Sequence, residues 1–338
     1  MGIEEADICT NPNDIALFGG VGANASRLVI ASDRMPSLGP VACAIGVFDG
    51  VHLGHAKLVS DCIRFARSRG VHSAVVTFDI DPEELLDSRS PRKLMSNRDR
   101  VAALARLGCD FVVVQRFDEE LASVQPGDFL NKLLAGVDLA GVFVGSNFRF
   151  GRGASGDVDL LCRELMSHGC LVEAEDLFCA EGLPVASTRI RDLVESGDAE
   201  GAARLLGRPF FMRATVTEGR HVGRTLGFPT ANLVPEARYA SPGGGVYAGH
   251  VLVDGEWFRA SISVGAPKTF GDDMQPTIEA HLIDFDRYIY GEHVVAAFER
   301  YLRPMTKFGS VDELVAAITS YTQMAAEQEA APHICFAN

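Results

Sequence analysis

The stretch AIGVFDGVHLGH, Ala44–His55, ends an apolar run on aspartate and glycine and then sets two histidines three residues apart. Upstream the run extends to VACAIGVF, a continuous β-rich segment. Downstream HAKLVSDCIRFARSRG has the spacing of an amphipathic helix. The quoted residues therefore form a strand-to-helix junction. In a parallel α/β sheet, ligands bind beyond the carboxyl ends of the strands, where a helix N-terminus offers open N–H groups and a positive dipole end. Gly50 and Gly54 let backbone approach a ligand, while His52 and His55, one helical turn apart, face the same way and can donate to phosphate oxygens. Two other readings stay open: a pair of surface histidines at a helix start, or a metal site. The second lacks a neighbouring cysteine, histidine or acidic cluster to complete a ligand set.

The same alternation runs from about residue 41 to 178. VHSAVVTF, FVVVQRF and GVFVG are further apolar runs, with periodic stretches such as DFLNKLLAGV between them. This pattern predicts a parallel sheet covered on both faces. Gly70 reads as a helix stop, and Ser96 with Asp99 as a capping box. After about residue 207 the texture changes. FMRATVTEG, GVYAGHVLVDG, EWFRASISVG and PTIEAHLIDFD are short alternating segments between glycine-bearing turns, as in an antiparallel barrel or sandwich. A helix over SVDELVAAITSYTQMAAEQ, opened by Ser310 and Glu313, closes this half, and LLGRPF, Leu205 to Phe210, is the expected hinge.

A chain of 338 residues suits two domains. No apolar run approaches the roughly 18 to 20 residues of a membrane span. The first thirty residues carry acids and no leader-type apolar core, so a cytoplasmic protein with no membrane partner is expected. A net charge of −14 argues against a nucleic-acid partner, whose binding requires a basic face. Eight scattered cysteines without CxxC pairs, from Cys9 to Cys335, read as reduced and structural.

Two later segments add to the opening motif. VGSNFRFGRGASGD follows the Val142-Phe143-Val144 strand, and VASTRIRDL sets Ser187, Thr188, Arg189 and Arg191 at another strand-to-helix turn as a further set of phosphate donors, so three junctions are expected at one sheet edge. With these, the chain resembles the bacterial bifunctional riboflavin kinase/FAD synthetase family, in which an HxGH and an SSTxxR-type motif mark an adenylyltransferase module. The resemblance implies a Rossmann-like parallel α/β nucleotidylyltransferase domain. It further implies that His52 and His55 hold the ATP phosphates and the transition state, that Ser187, Thr188 and Arg191 grip the same phosphates, and that Asn147 lies near the reacting groups.

In the second half, GRTLGFPTANL (Gly223 to Leu233) offers the hard oxygen atoms of Thr230 and Asn232, which Mg²⁺ accepts when it also carries ATP phosphates. Gly223 and Gly227 suit a phosphate-wrapping loop. Read without context, PTAN is simply a turn. The ordered set GFPTAN, then TIEAHLIDFDRYIYG, then YLRPMTKF is similar to that family's riboflavin kinase module, an antiparallel β-barrel with a C-terminal helix. By that resemblance Glu279 is the catalytic base, although the alternation Thr277, Glu279, His281 also permits an outward-pointing glutamate. Arg303 is a candidate for the flavin or nucleotide pocket, with surface pairing as the other reading. The expected division is an extension over 1–26, an FMN adenylyltransferase domain over 27–206 and a riboflavin kinase domain over 207–338.

Three departures from the family pattern stand out. In TFDIDPEEL, Ile80 and Asp81 occupy the places of a proline and a histidine, Ala186 replaces a serine, and GAPKTF carries Lys268. An uncompensated anion at 81 would repel a triphosphate, so either Asp81 helps to hold Mg²⁺ or adenylylation is slowed. The leading expectation is an enzyme that phosphorylates riboflavin to FMN and adenylylates FMN to FAD with ATP and Mg²⁺, as a monomer or weak homo-oligomer. The alternative keeps the kinase alone, with the first half a flavin- or nucleotide-binding regulatory module. A flavoprotein oxidoreductase is disfavoured because no GxGxxG followed by an acid is present, and FGGVGA is the nearest string.

Overall fold

The structure is a computed structural model that describes residues 12–18, 27–31, 37–86, 91–134, 137–167, 169–219, 226–265, 276–329, 331–332 and 334. Six apolar segments pair in parallel: β1 (Arg27–Ala31), β2 (Pro40–Ile45), β3 (His72–Phe78), β4 (Phe111–Gln115), β5 (Asp138–Gly145) and β6 (Leu171–Glu175). The order is β1-β4-β3-β2-β5-β6, so the chain turns outward in opposite directions on the two sides of β2. The central strands are buried on both faces, as their uninterrupted apolar composition requires. The helix Leu53–Arg69 packs across β2, β3 and β5 and ends on Gly70 in the left-handed conformation. Ser96 caps the helix Asn97–Arg106 through the N–H of Asp99.

The segment after β6 differs from the sequence expectation. VASTRIRDL does not follow a strand of the main sheet. It follows a two-stranded hairpin, β7 (Cys179–Ala180) with β8 (Leu183–Pro184), and opens the helix Ser187–Ser196; a second helix, Ala199–Leu206, leads to the hinge. Pro184 and the short apolar run around it are too brief to enter a central ladder.

The second half closes a barrel from β9 (Phe210–Thr217), β10 (Ala231–Pro235), β11 (Gly245–Val253), β12 (Glu256–Val264), β13 (Ile278–Leu282) and β14 (His293–Arg303), in the order β10-β13-β12-β11-β14-β9. All pairings are antiparallel, and closure leaves no strand edge open. The PTAN turn is only half a turn: Asn232 lies in β10. The helix Val311–Ala326, capped by Ser310, lies on β11 and β12, and Arg300, Arg259 and His250 meet carbonyls at and beyond its C-terminal end.

The hinge joins the halves, yet packing does not divide there. Ile190 and Val194 belong to the same hydrophobic cluster as the barrel residues Phe210, Met212 and Tyr247. Leu17 and Phe18 of the short helix Pro12–Phe18 lie in another cluster with sheet-side residues such as Val59 and Ala103 and barrel residues Phe211 and Val295. An ion cluster completes the contact. Arg213 of β9 bonds Asp99 (Nε to Oδ1 2.8 Å, Nη2 to Oδ1 2.6 Å) and Asp14 (2.7 Å), and Arg98 also pairs with Asp14. Six described cysteines are free thiols; Cys43, Cys62, Cys109 and Cys170 are buried, Cys162 half-buried and Cys179 exposed. Burial pushes the Cys62 thiol up to about 12.

Removing one member of a buried ion cluster leaves the others charged and desolvated, which costs about 3–5 kcal/mol. Arg213→Met is expected to lose that much in urea unfolding followed by circular dichroism; a loss below about 1 kcal/mol would show the cluster to be a spectator.

Candidate functional site

The opening motif sits at the end of β2, the point where the sheet reverses its strand order. Its backbone is held in an uncommon shape. Phe48 (φ 59°), Gly50 (φ 78°) and Val51 (φ 40°) all take positive φ, and for β-branched Val51 this is an outlier that surrounding structure must enforce. Gly50 is needed twice over, because a Cβ there would also stand 3.0 Å from Leu94 Cβ. His52 caps the following helix: its Nδ1 accepts from the backbone N–H of His55 at 3.3 Å. That bond fixes the tautomer, leaving the Nε2 proton free to donate. The two imidazoles stack with centroids 3.5 Å apart, and Gly54 leaves them room, since a Cβ at 54 would meet the His52 ring at 3.2 Å. Both are held neutral. Burial, then the charge of Arg208, brings His52 down to about 3, and burial followed by His52, Arg100 and Arg208 holds His55 well below its usual range.

Asp49 ties this loop to its neighbours. Its carboxylate accepts the Leu94 N–H (3.0 and 3.2 Å) and the Arg191 guanidinium (2.9 Å), and its carbonyl accepts the Ser187 hydroxyl at 3.0 Å. Burial lifts Asp49 above the ordinary carboxylate range against the pull of Arg191. So Ser187 and Arg191 reach the HxGH loop, as the sequence requires, although by way of a hairpin. The N-cap position of their helix is Ala186, which supplies no side-chain acceptor, so the first turn keeps its N–H groups for a ligand. Buried nitrogen atoms without partners gather here: His55 Nδ1, Arg191 Nε and Arg100 Nε. Such a set fits an anion. Asn147 and Thr188 are exposed, Asn147 just beyond the end of β5. Arg189 departs from the expected set of phosphate donors. Its Nη1 binds the carbonyls of Ala180, Leu183 and Pro184 and braces the hairpin.

Asp81 is not an uncompensated anion. It pairs with Arg100, a side chain only 1% exposed, whose other nitrogen donates to the Phe78 carbonyl at 2.6 Å. The charge expected to repel a triphosphate is thus balanced within the protein by Arg100. Asp49, Arg100 and Arg208 escaped the sequence reading. Arg208 carried a visible signal, a lone charge inside the apolar LLGRPF.

On the barrel, register aligns the second set. Asn232 is opposite Thr217 on one side and Glu279 on the other, and Glu279 is opposite Ser263. Directly paired residues of antiparallel strands share a face, so Thr217, Asn232, Glu279 and Ser263 form one row. Ile278, Ala280 and Leu282 point into the core, which puts Glu279 on the half-exposed outer side. Thr230 immediately precedes β10. A cavity of about 490 Å³ opens beside the row, with Thr217, Asn232 and Thr277 in its wall. Gly227 has φ 86° in the loop before β10. Arg303 stands over the Tyr321 and Phe308 rings at 4.9 and 5.5 Å, against the C-terminal helix. Gly223 and Lys268 lie outside the described residues.

Residues 35–189 match the family model for FAD synthetase, and residues 206–328 that for riboflavin kinase. The chain is 33% identical over 292 residues to the bifunctional riboflavin kinase/FMN adenylyltransferase of Listeria monocytogenes, covering 86% of this chain and 92% of that protein. It is 36% identical over 277 residues to the protein of the same name from Escherichia coli K12, covering 81% and 88%. A crystal structure of a macrolide-efflux protein from Streptococcus pneumoniae matches with a TM-score of 0.80 at 28% identity, over 89% of this chain and 99% of that one. No helix among the described residues is long and apolar enough to cross a membrane.

Histidines held neutral by burial make stability depend on acid. Below about pH 6.5 the unfolded chain binds a proton that folded His52 refuses, so stability is lost as pH falls from about 6.5 toward about 3. Between pH 6.5 and 5 this amounts to about 1.6 kcal/mol for His52. Thermal melts at the two pH values should show a larger fall for the wild type than for a His52→Asn/His55→Asn variant. Asp49 titrates the other way but is common to both proteins, so equal falls would refute neutral burial.

Proposed function

The chain belongs to the bifunctional riboflavin kinase/FMN adenylyltransferase family, and on that premise we propose that it phosphorylates riboflavin to FMN on the barrel and adenylylates FMN to FAD at the end of the parallel sheet. The observation that carries the reading is the convergence of His52, His55, Ser187 and Arg191 on one loop, combined with the separate row of Asn232 and Glu279. The compensation of Asp81 by Arg100 removes the repulsion that favoured a kinase-only protein.

In adenylyl transfer, a phosphate oxygen of FMN attacks the α-phosphorus of ATP and pyrophosphate leaves. The nucleophile is already an anion, so no general base is required; positioning and charge stabilisation remain. His52 donates from Nε2, Arg191 and Ser187 sit beside it, the first-turn N–H groups of Ser187–Ser196 face the phosphates, and Thr188 and Asn147 line the open side. Neutral imidazoles donate without surrendering a proton, and gain basicity as the phosphate charge arrives.

In the kinase reaction, Glu279 accepts the proton of the ribityl 5′-hydroxyl as that oxygen attacks the γ-phosphorus and ADP leaves. The hard oxygens of Thr230 and Asn232 fit a Mg²⁺ ion that arrives on ATP phosphates, and among the described residues no cluster of acids forms a separate metal cage. When bound, that ion neutralises charge developing on the phosphates. Gly227 belongs to the loop beside them, Gly223 is assigned to phosphate binding on its sequence motif alone, and Arg303 is assigned to the rim of the flavin site. The division is 27–206 for adenylylation and 207–338 for the kinase, in the cytoplasm.

Two substitutions separate the chemistries. Glu279→Gln is expected to lower riboflavin phosphorylation at least about 10²-fold while FAD formation from supplied FMN stays within twofold; His52→Asn is expected to do the reverse. Chromatography of the flavins after timed incubation with ATP and Mg²⁺ reads both. Parallel loss of both activities in either variant would contradict the assignment of separate sites.

A further inference from the structure

The strained loop needs something to hold it, and part of that restraint comes from the other half of the chain. Arg208 stands in the hinge, 4% exposed, beyond the residues that match the FAD synthetase model. Its Nη2 donates to the carbonyl of Gly50, and its Nη1 donates to the carbonyls of Val51 (3.2 Å) and Leu206 (3.0 Å). Gly50 and Val51 are two of the positive-φ residues, and Val51 directly precedes His52. The planar fork of a guanidinium can span successive carbonyls in a way that an ammonium cannot. The guanidinium also lies 6.0 Å from the ring of Phe211 in β9, a barrel residue.

We propose that Arg208 is a positioning residue for adenylyl transfer: it clamps the Gly50–Val51 turn and so aims His52 and His55, making the hinge of the kinase half a structural part of the adenylyltransferase site. This inference rests on the reading of the HxGH loop as the site of FAD formation.

Other contacts run in the same direction. The barrel segment Arg238–Ala240 forms a β-bridge through Tyr239 to Lys93, with Lys93 N–H donating to the Arg238 carbonyl (2.9 Å) and Ala240 N–H to the Lys93 carbonyl (2.7 Å). The next residue, Leu94, gives its N–H to Asp49. Ile190 and Val194, on the helix that carries Ser187 and Arg191, are cored with the barrel. The loop is thus held at Asp49 by Leu94 and Arg191, and at Gly50 and Val51 by Arg208. The charge of Arg208 adds a second effect. It faces both imidazoles and, with burial, opposes their protonation. Arg100 from the helix Asn97–Arg106 also acts on His55, Arg191 and Asp81 act on the neighbouring Asp49, and Asp49 and Asp99 act on Arg208 itself.

The test uses the full-length protein with Arg208→Lys and Arg208→Met. The lysine variant keeps the charge and loses the fork; the methionine variant loses both. FAD formation from FMN is measured as kcat and KM for ATP, with riboflavin phosphorylation and the thermal melt of the same preparations alongside. The expected result is a kcat at least 10-fold lower for FAD formation in both variants, KM within about threefold and kinase activity within twofold. In Arg208→Met the imidazole titration, followed by NMR of the histidine ring protons, shifts upward yet stays below the ordinary range because burial persists. FAD formation within twofold of the wild type in Arg208→Met would overturn the proposal. So would equal loss of both activities, which marks a residue needed only for folding. If the wild type itself forms no FAD, the reading of the site fails. The ring-proton resonances of Arg208→Lys still decide the clamp in that case, because this variant keeps the charge and loses only the fork: His52 and His55 signals unmoved from the wild type would sink it, and displaced signals would uphold it.

Discussion

A single buried carboxylate, Asp49, organises one half of this molecule. Taking an anion out of water is costly unless it is bonded on all sides, and Asp49 meets that demand with the amide of Leu94 and the guanidinium of Arg191. These partners come from segments far apart in the chain. Satisfying one charge therefore fixes the end of β2, the segment before the helix Asn97–Arg106, and the start of the helix Ser187–Ser196. His52, Ser187 and Arg191 arrive at one place as a consequence. The unusual backbone of Phe48 to Val51 is the local cost, of the order of 1–3 kcal/mol for each strained residue, borne where the chemistry is.

The same logic joins the halves. A negatively charged chain concentrates its buried cations where they meet acids or carbonyls. Arg213 is enclosed by Asp99 and Asp14, Arg100 by Asp81 and the Phe78 carbonyl, and Arg208 by the carbonyls of the loop. Burial pulls Arg208 down to about 9, still charged at neutral pH. Arg213 and Arg208 are each held from more than one segment, so the barrel and the sheet share restraints that a simple tether would not provide. The hydrophobic clusters cross the same junction.

Much of this was legible in the sequence because the apolar runs are unbroken where strands are buried on both faces and alternate in barrel strands such as β13, although β11 is buried along its whole length. The caps at Ser96 and Ser310 and the stop at Gly70 are local chemistry and were readable as such. Ser187 and Arg191 were recognisable by residue type, but the hairpin that delivers them was not, since two-residue strands carry no period. Asn232 looked like a turn residue because its proline and alanine neighbours mask a strand that exists only through its partners β9 and β13. The meaning of Asp81 depended on Arg100, nineteen positions later, a pairing that tertiary structure creates. Arg189 shows the converse: a residue of the right type in the right motif whose side chain is turned to brace backbone.

The most direct measurement is a chromatographic time course of the wild-type protein with riboflavin, excess ATP and Mg²⁺, repeated from FMN. Two sites on one chain predict that FMN rises first and then passes to FAD, and that FMN supplied alone is converted without delay. FMN that accumulates without FAD would contradict the account, because it would mean that a loop held by Asp49, Arg191 and Arg208 no longer performs the reaction its geometry supports.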